Sequence, residues 1–167
     1  MARFAPPSGV VIAREPPRQP EVEALVRDLD RLMESLYPAE SNHLLDIAAL
    51  ERPDIRFFVA RRGGAAIGCG AFRVLDRRHG EIKRMFVAPA QRGSGLGRAL
   101  LAHIEGAARA EGLERLSLET GISQPEAIGL YRAAGYRECD PFGDYRPDPL
   151  SAFMTKPLAP IPFPATE

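Results

Sequence analysis

The stretch that decides the fold is a glycine loop, Gln91-Arg92-Gly93-Ser94-Gly95-Leu96-Gly97-Arg98. A strand-like run at residues 81–87 precedes it, and apolar residues at helical spacing follow it to about Glu111. Glycines let the backbone approach a ligand closely, and the first amides of a helix have no internal partners. Together with the helix dipole, these amides predict an anion site suited to phosphate, with Arg92 and Arg98 adding charge at its rim.

Three kinds of phosphate ligand compete for such a loop. A P-loop for nucleoside triphosphates requires Lys-Ser or Lys-Thr after its last glycine, whereas Arg98-Ala99 stands here. A dinucleotide fingerprint is nearer, because Glu119 lies 22 residues beyond Gly97, but the glycine spacing differs and three predicted strands precede the loop. The pyrophosphate of coenzyme A is the third candidate.

Working outward from the loop, the chain reads as a mixed α/β protein. Strands predicted at 55–61, 65–75 and 81–87 are joined by turns and indicate an antiparallel meander. The strand at 81–87, the helix and a strand at 113–119 form a βαβ unit, which makes parallel neighbours. Further elements are a strand at 10–13, a helix after Pro20, a short helix capped by Ser41 and running to about Leu50, a helix from Pro125, and strands at 136–139 and 151–156.

Composition bounds the class of protein. A chain of 167 residues predicts one domain over 1–167, and the concentration of its 16 prolines near both termini predicts irregular ends at about 1–8 and 159–167. The 22 Lys+Arg balance the 22 Asp+Glu, which argues against a nucleic-acid partner and against a polybasic membrane anchor. Cys69 and Cys139 have no metal-ligand spacing, so no metal is expected. With no long apolar run and no signal-peptide pattern, a cytoplasmic location without membrane contact is expected.

Residues 92–101, Arg-Gly-Ser-Gly-Leu-Gly-Arg-Ala-Leu-Leu, resemble the signature loop of the GNAT-type N-acetyltransferases. The resemblance extends over about residues 55–158, and stretches such as Gly68-Cys69-Gly70-Ala71 and Phe153-Met154-Thr155-Lys156 are similar to a bacterial, YsnE-like branch of that family. It implies the acyl-CoA N-acyltransferase fold, an α/β mixed sheet. In that fold an antiparallel N-terminal meander joins a parallel βαβ half, and the central strands splay apart.

The resemblance also implies the chemistry. Acetyl-CoA is the expected co-substrate, and the expected reaction is direct attack by a primary amine in a ternary complex. Glu81 stands where several family members carry a general base, and Tyr131 where a tyrosine serves as the acid at the coenzyme sulfur. Just before the helix that contains Tyr131, where the family often has an asparagine, this sequence has Gln124. The expected coenzyme-binding residues are Met85, Phe86, Val87, Arg92, Gly93, Ser94, Gly95, Leu96, Gly97, Arg98, Gln124 and Tyr131.

The acceptor side is expected to be formed by the first two helices and a late loop. The acceptor is expected to be a small-molecule or amino-acid-like amine, and a homodimer is one expected assembly. The alternatives are acetylation of a protein or peptide amine, and a domain that senses acyl-CoA without turnover. The candidate acceptor-site residues are Leu36, Tyr37, Glu40, His43, Phe142, Asp144 and Tyr145.

Overall fold

The structure, a computed structural model, describes residues 4–160; residues 1–3 and 161–167 of the predicted irregular ends lie outside them. Within the described part, seven strands form one sheet in the order β1-β2-β3-β4-β5-β7-β6. The strands are β1 (Val10–Arg14), β2 (Ile55–Arg62), β3 (Ala65–Val74), β4 (His79–Val87), β5 (Arg115–Gly121), β6 (Arg137–Glu138) and β7 (Ser151–Pro157). The helices are α1 (Pro20–Leu36), α2 (Ile47–Leu50), α3 (Leu96–Ala110) and α4 (Pro125–Ala133).

The predicted mixed sheet is confirmed. Strands β1 to β4 pair antiparallel in sequence order, and β4 and β5 are the parallel pair that flanks α3. Strand β7 then adds antiparallel between β5 and the short β6. Among residues 4–160, no helix is long and apolar enough to cross a membrane.

Each face of the sheet is covered because the helices are amphipathic. Helix α1 buries an apolar stripe that includes Val22 and Val26 in one core layer. Helix α3 places Leu101 and Ile104 in another layer, beneath the other face of the sheet. Both α1 and α4 begin with a proline, which has no backbone N–H. Proline suits the first turn of a helix because the N–H groups in that turn have no intrahelical partner.

The predicted cap of the second helix was wrong. Ser41 ends a short 3-10 turn, Ala39–Ser41, and its hydroxyl donates to Asp148 at 2.8 Å. Helix α2 begins later, where the Asp46 carboxylate accepts from the Ala49 N–H at 2.8 Å. The Ser41 hydroxyl, which the local pattern predicted as a helix cap, is therefore used in a tertiary contact with the late loop, residues 139–150 between β6 and β7.

A bulge in β4 opens the sheet next to the glycine loop. The parallel pairing of β4 with β5 is formed from His79 to Ile82 only. Two residues later Arg84 adopts φ +57°, and the register with β3 shifts at the same level. The Arg84 guanidinium is buried and bound by Asp30 at 2.6 Å and by the Leu45 carbonyl, so α1 and the following connection are attached to the bulge. The expected splaying of the central strands is confirmed here.

Candidate active site

A groove of about 530 Å³ lies between the glycine loop and α4. Gly93 and Gly95 have φ of +78° and +86°, a left-handed conformation that glycine adopts without strain, and Gly95 directly precedes α3. We call this space the loop groove. The predicted coenzyme residues that line it are Met85, Phe86, Val87, Arg92, Gly93, Gly95, Leu96, Gly97, Arg98, Gln124 and Tyr131.

Two predicted residues lie elsewhere than expected. Ser94 turns its hydroxyl back onto the loop and donates to the Gln91 carbonyl at 2.6 Å, so it braces the turn. Leu36, predicted for the acceptor side, is the last residue of α1 and lines the loop groove instead, together with residues of α4.

The two arginines at the rim stack on aromatic rings. The Arg98 guanidinium lies 4.2 Å from the centroid of the Phe4 ring, and that of Arg92 lies 6.0 Å from the Phe86 ring. Such stacking orients a guanidinium without neutralising its charge. The mouth of the loop groove therefore combines helix amides with two positive charges, an arrangement that favours an anionic ligand such as phosphate.

A smaller cavity of about 100 Å³ adjoins the loop groove, and we call it the inner cavity. Both spaces are lined by Met85, Gln124 and Tyr131, so the groove opens into the cavity at the tyrosine. Glu119 of β5 also lines the cavity, although the sequence pattern placed it only in a candidate dinucleotide fingerprint. In the sequence, Glu119 is a carboxylate at the end of the strand predicted at 113–119.

Glu119 is held in a setting that favours proton uptake. Ser151 donates to its carboxylate at 2.7 Å. Burial raises the pKa of Glu119 and the charge of Glu81 adds to this, while the Ser151 hydrogen bond and the charges of His43 and Lys83 oppose it. The net result is a carboxylate whose pKa lies above the ordinary value, closer to neutrality, which is the direction that a general base requires.

Tyr131 is held in a setting that keeps it protonated. Its side chain is buried, and its ring packs edge-on against Tyr136 with 5.8 Å between centroids. Burial raises the pKa of the Tyr131 phenol, and the negative charge of Glu119 raises it further. The hydroxyl is therefore a hydrogen-bond and proton donor at all physiological pH values.

Glu81, the predicted base, is held in a different network. It is 2% exposed, accepts a hydrogen bond of 2.5 Å from the Tyr145 hydroxyl, and lies 3.5 Å from the Lys83 ammonium. Lys83 also donates to the Tyr145 hydroxyl at 2.7 Å and to the His43 carbonyl at 3.1 Å. This network attaches the late loop and the α1–α2 connection to β4. The structure does not bring Glu81 and Tyr131 to one cavity.

The remaining acceptor candidates divide between two spaces. Tyr37 and His43 line the inner cavity. A wider cleft of about 870 Å³ lies on the other side of Lys83 and His43, which line both spaces. The predicted residues that line the wider cleft are Glu40, His43, Glu81, Phe142, Asp144 and Tyr145. Within residues 4–160, no group of three or more His, Cys, Asp or Glu is arranged to hold a metal ion.

Comparison with known proteins agrees with this geometry. The acetyltransferase (GNAT) family profile matches residues 22–136. An "IAA acetyltransferase" of Azospirillum brasilense is 56% identical over 150 residues, covering 89% of this chain and 98% of that protein. The uncharacterized N-acetyltransferase YsnE of Bacillus subtilis is 43% identical over 140 residues, covering 83% of this chain and 93% of its own length.

A solved structure supports the same assignment. A Klebsiella pneumoniae protein provisionally named an acyl-CoA N-acyltransferase is 38% identical, with a TM-score of 0.77 over 90% of this chain and 98% of that one. The resemblance inferred from the glycine loop, including its YsnE-like branch, is therefore confirmed. This chain belongs to the acetyltransferase (GNAT) family and is an acyltransferase.

Proposed function

We propose that the protein transfers acetyl from acetyl-CoA to a primary amine of a small-molecule or amino-acid-like acceptor, by direct attack in a ternary complex. The observation that carries the proposal is the junction of the two spaces. The loop groove, with its anion site, meets the inner cavity at Tyr131, and that cavity holds the buried carboxylate of Glu119. A proton acceptor and a proton donor thus border the point where a thioester would enter.

The coenzyme is expected to lie along the loop groove. Its phosphates would bind the amides at the start of α3 and the rim charges of Arg92 and Arg98. Beyond Ile82, β4 is no longer paired with β5, so its open edge can bind the amide-bearing pantetheine arm as an added strand would. This orientation would bring the thioester to Tyr131.

Glu119 and Tyr131 then carry out different proton transfers. Glu119, rather than Glu81, takes the proton from the incoming ammonium and so makes the nitrogen lone pair available. The neutral amine attacks the thioester carbonyl, the C–N bond forms and the C–S bond breaks. Tyr131 donates its proton to the departing sulfur as negative charge develops there, which gives the coenzyme thiol. The attacking nitrogen then loses its second proton to the Tyr131 phenolate, which restores the phenol, and Glu119 releases the first proton to solvent.

The size of the inner cavity favours a small acceptor. Its volume of about 100 Å³ corresponds to roughly three water molecules in the liquid. A space of this size suits the reacting amine and a few neighbouring atoms, and the rest of the acceptor would extend toward the wider cleft. Lys83 and His43 border both spaces, so they are placed to contact the acceptor where it passes between them.

Two measurements test this proposal. Acetyl-CoA should raise the melting temperature of the protein, because a ligand that binds only the folded state stabilises it. The protein should then be tested with acetyl-CoA and a panel of small amines and short peptides. At least one small amine should cause the release of free thiol from acetyl-CoA. Absence of a thermal shift at millimolar acetyl-CoA would remove the coenzyme assignment. Turnover confined to peptides would replace the small acceptor with a protein amine, and binding without any turnover would indicate a sensor.

A further inference from the structure

The Tyr37 side chain connects the two sides of the site. Tyr37 follows directly after α1 and is 7% exposed. Its hydroxyl oxygen accepts a hydrogen bond from the Ser123 N–H at 3.2 Å and donates to Gln124 Oε1 at 3.3 Å. A backbone N–H can only donate, so the one hydroxyl proton remains for Gln124. This arrangement turns the oxygen end of the Gln124 amide toward Tyr37.

The backbone of β5 leaves space for this contact. Gly121 is the last residue of β5, and a Cβ atom at that position would lie 1.8 Å from the Tyr37 hydroxyl oxygen. Any side chain there would have to displace the tyrosine, because such a distance is far inside van der Waals contact. Glycine at 121 therefore makes room for the hydroxyl that binds Ser123 and Gln124.

Gln124 occupies the boundary between the loop groove and the inner cavity. It lines both spaces and immediately precedes α4, and its side chain makes no capping hydrogen bond to that helix. With Oε1 bound by Tyr37, the two N–H donors on Nε2 have no hydrogen-bond partner among residues 4–160. Donors that line a ligand groove are placed to bind an acceptor atom of that ligand.

We propose that Tyr37 is a positioning residue that holds the Gln124 amide with Nε2 toward the loop groove, where it donates to an amide carbonyl of the pantetheine arm of the coenzyme. This inference rests on the proposed function, since it assumes that the groove takes an acyl-CoA. Glutamine is one methylene longer than asparagine and has more rotamers to choose from, so its amide needs a fixed partner to be preorganised.

The test is a double-mutant cycle on coenzyme binding. Tyr37→Phe removes the hydroxyl and keeps the ring, Gln124→Ala removes the amide, and the third variant combines both changes. Isothermal titration with coenzyme A should show about five-fold weaker binding for Tyr37→Phe, the usual effect of losing one hydrogen bond. The double variant should bind no more weakly than Gln124→Ala alone, because Tyr37 acts through Gln124.

Steady-state kinetics provide a readout that general destabilisation would not reproduce. In Tyr37→Phe the KM for acetyl-CoA should change more than kcat, whereas in Tyr131→Phe kcat should change more than KM. Additive losses in the cycle, or unchanged coenzyme affinity in Tyr37→Phe, would overturn the positioning role and leave the proposed function intact. Failure of the wild-type protein to bind coenzyme A would overturn both.

Discussion

Replacing Glu119 by glutamine tests which carboxylate acts as the base. In Glu119→Gln the amide keeps an oxygen able to accept the hydrogen bond that Ser151 now donates at 2.7 Å, and glutamine has nearly the same volume as glutamate. Burial disfavours the charged form of Glu119, so a neutral amide at this position should not destabilise the fold. The substitution therefore removes the proton acceptor and leaves the shape of the inner cavity unchanged.

The expected effect is large and depends on pH. A positioned general base contributes about 10²- to 10⁴-fold to the rate, so kcat of Glu119→Gln should fall by at least about 100-fold. Burial raises the pKa of Glu119, and the protonated carboxyl cannot accept a proton. The wild-type rate should therefore decrease as the pH falls through that raised pKa, and this acid limb should be absent in the variant. Tyr131 should add no alkaline limb below about pH 10, because its pKa is raised above the ordinary value.

The matched control is Glu81→Gln, measured by free-thiol release at saturating acetyl-CoA across the pH range. Its amide oxygen can still accept from the Tyr145 hydroxyl, and Glu81 belongs to the network around Lys83. The kcat of Glu81→Gln should fall by less than about 10-fold, because the general base, which contributes at least about 100-fold to the rate, is retained in this variant. If Glu81→Gln loses more activity than Glu119→Gln and abolishes the acid limb, Glu81 is the base and our reasoning from the cavity is wrong.

Substitutions at four other positions test further contacts. Tyr131→Phe should lower kcat about 10- to 100-fold with little change in coenzyme affinity, measured by steady-state kinetics and titration; an unchanged kcat would refute the donor role. At Arg84, where φ is +57°, urea unfolding should show Arg84→Gly about 1 kcal/mol more stable than Arg84→Ala, with both less stable than wild type because the bonds to Asp30 and Leu45 are lost. A Cβ at Gly70 would lie 2.6 Å from the Met85 sulfur, so Gly70→Ala should cost about 1–3 kcal/mol, whereas Gly106→Ala in open space on α3 should gain about 0.5–1 kcal/mol; equal unfolding midpoints would contradict the packing.

Much of the fold could be predicted from local patterns. Helix α3 and the glycine turn before it could be predicted because an amphipathic stripe and glycines at positions of positive φ have strong local signatures. The prediction that Ser41 caps the second helix was wrong, because serine is a common helix cap but this hydroxyl binds Asp148, which is distant in sequence.

The candidate site was predictable on one side only. The glycine loop is a contiguous motif, so the residues proposed to bind phosphate could be named from the chain. The proposed acceptor side is assembled from separate elements, and proximity across strands leaves no trace in a single sequence. Lys83 was not singled out, although it borders both spaces and binds Tyr145 from 62 residues away.

The sequence by itself determined the family, the glycine loop and the presence of a carboxylate and a tyrosine on neighbouring elements. Only the tertiary structure decided which carboxylate lines the same cavity as Tyr131. Glu81 and Glu119 lie on adjacent strands that separate after Ile82. The network around Tyr145 and Lys83 buries Glu81, while Glu119, farther along β5 at the point where the strands have parted, lines the inner cavity. The divergence of two strands, produced by a bulge and by contacts distant in sequence, thus assigns different surroundings to two residues of the same type.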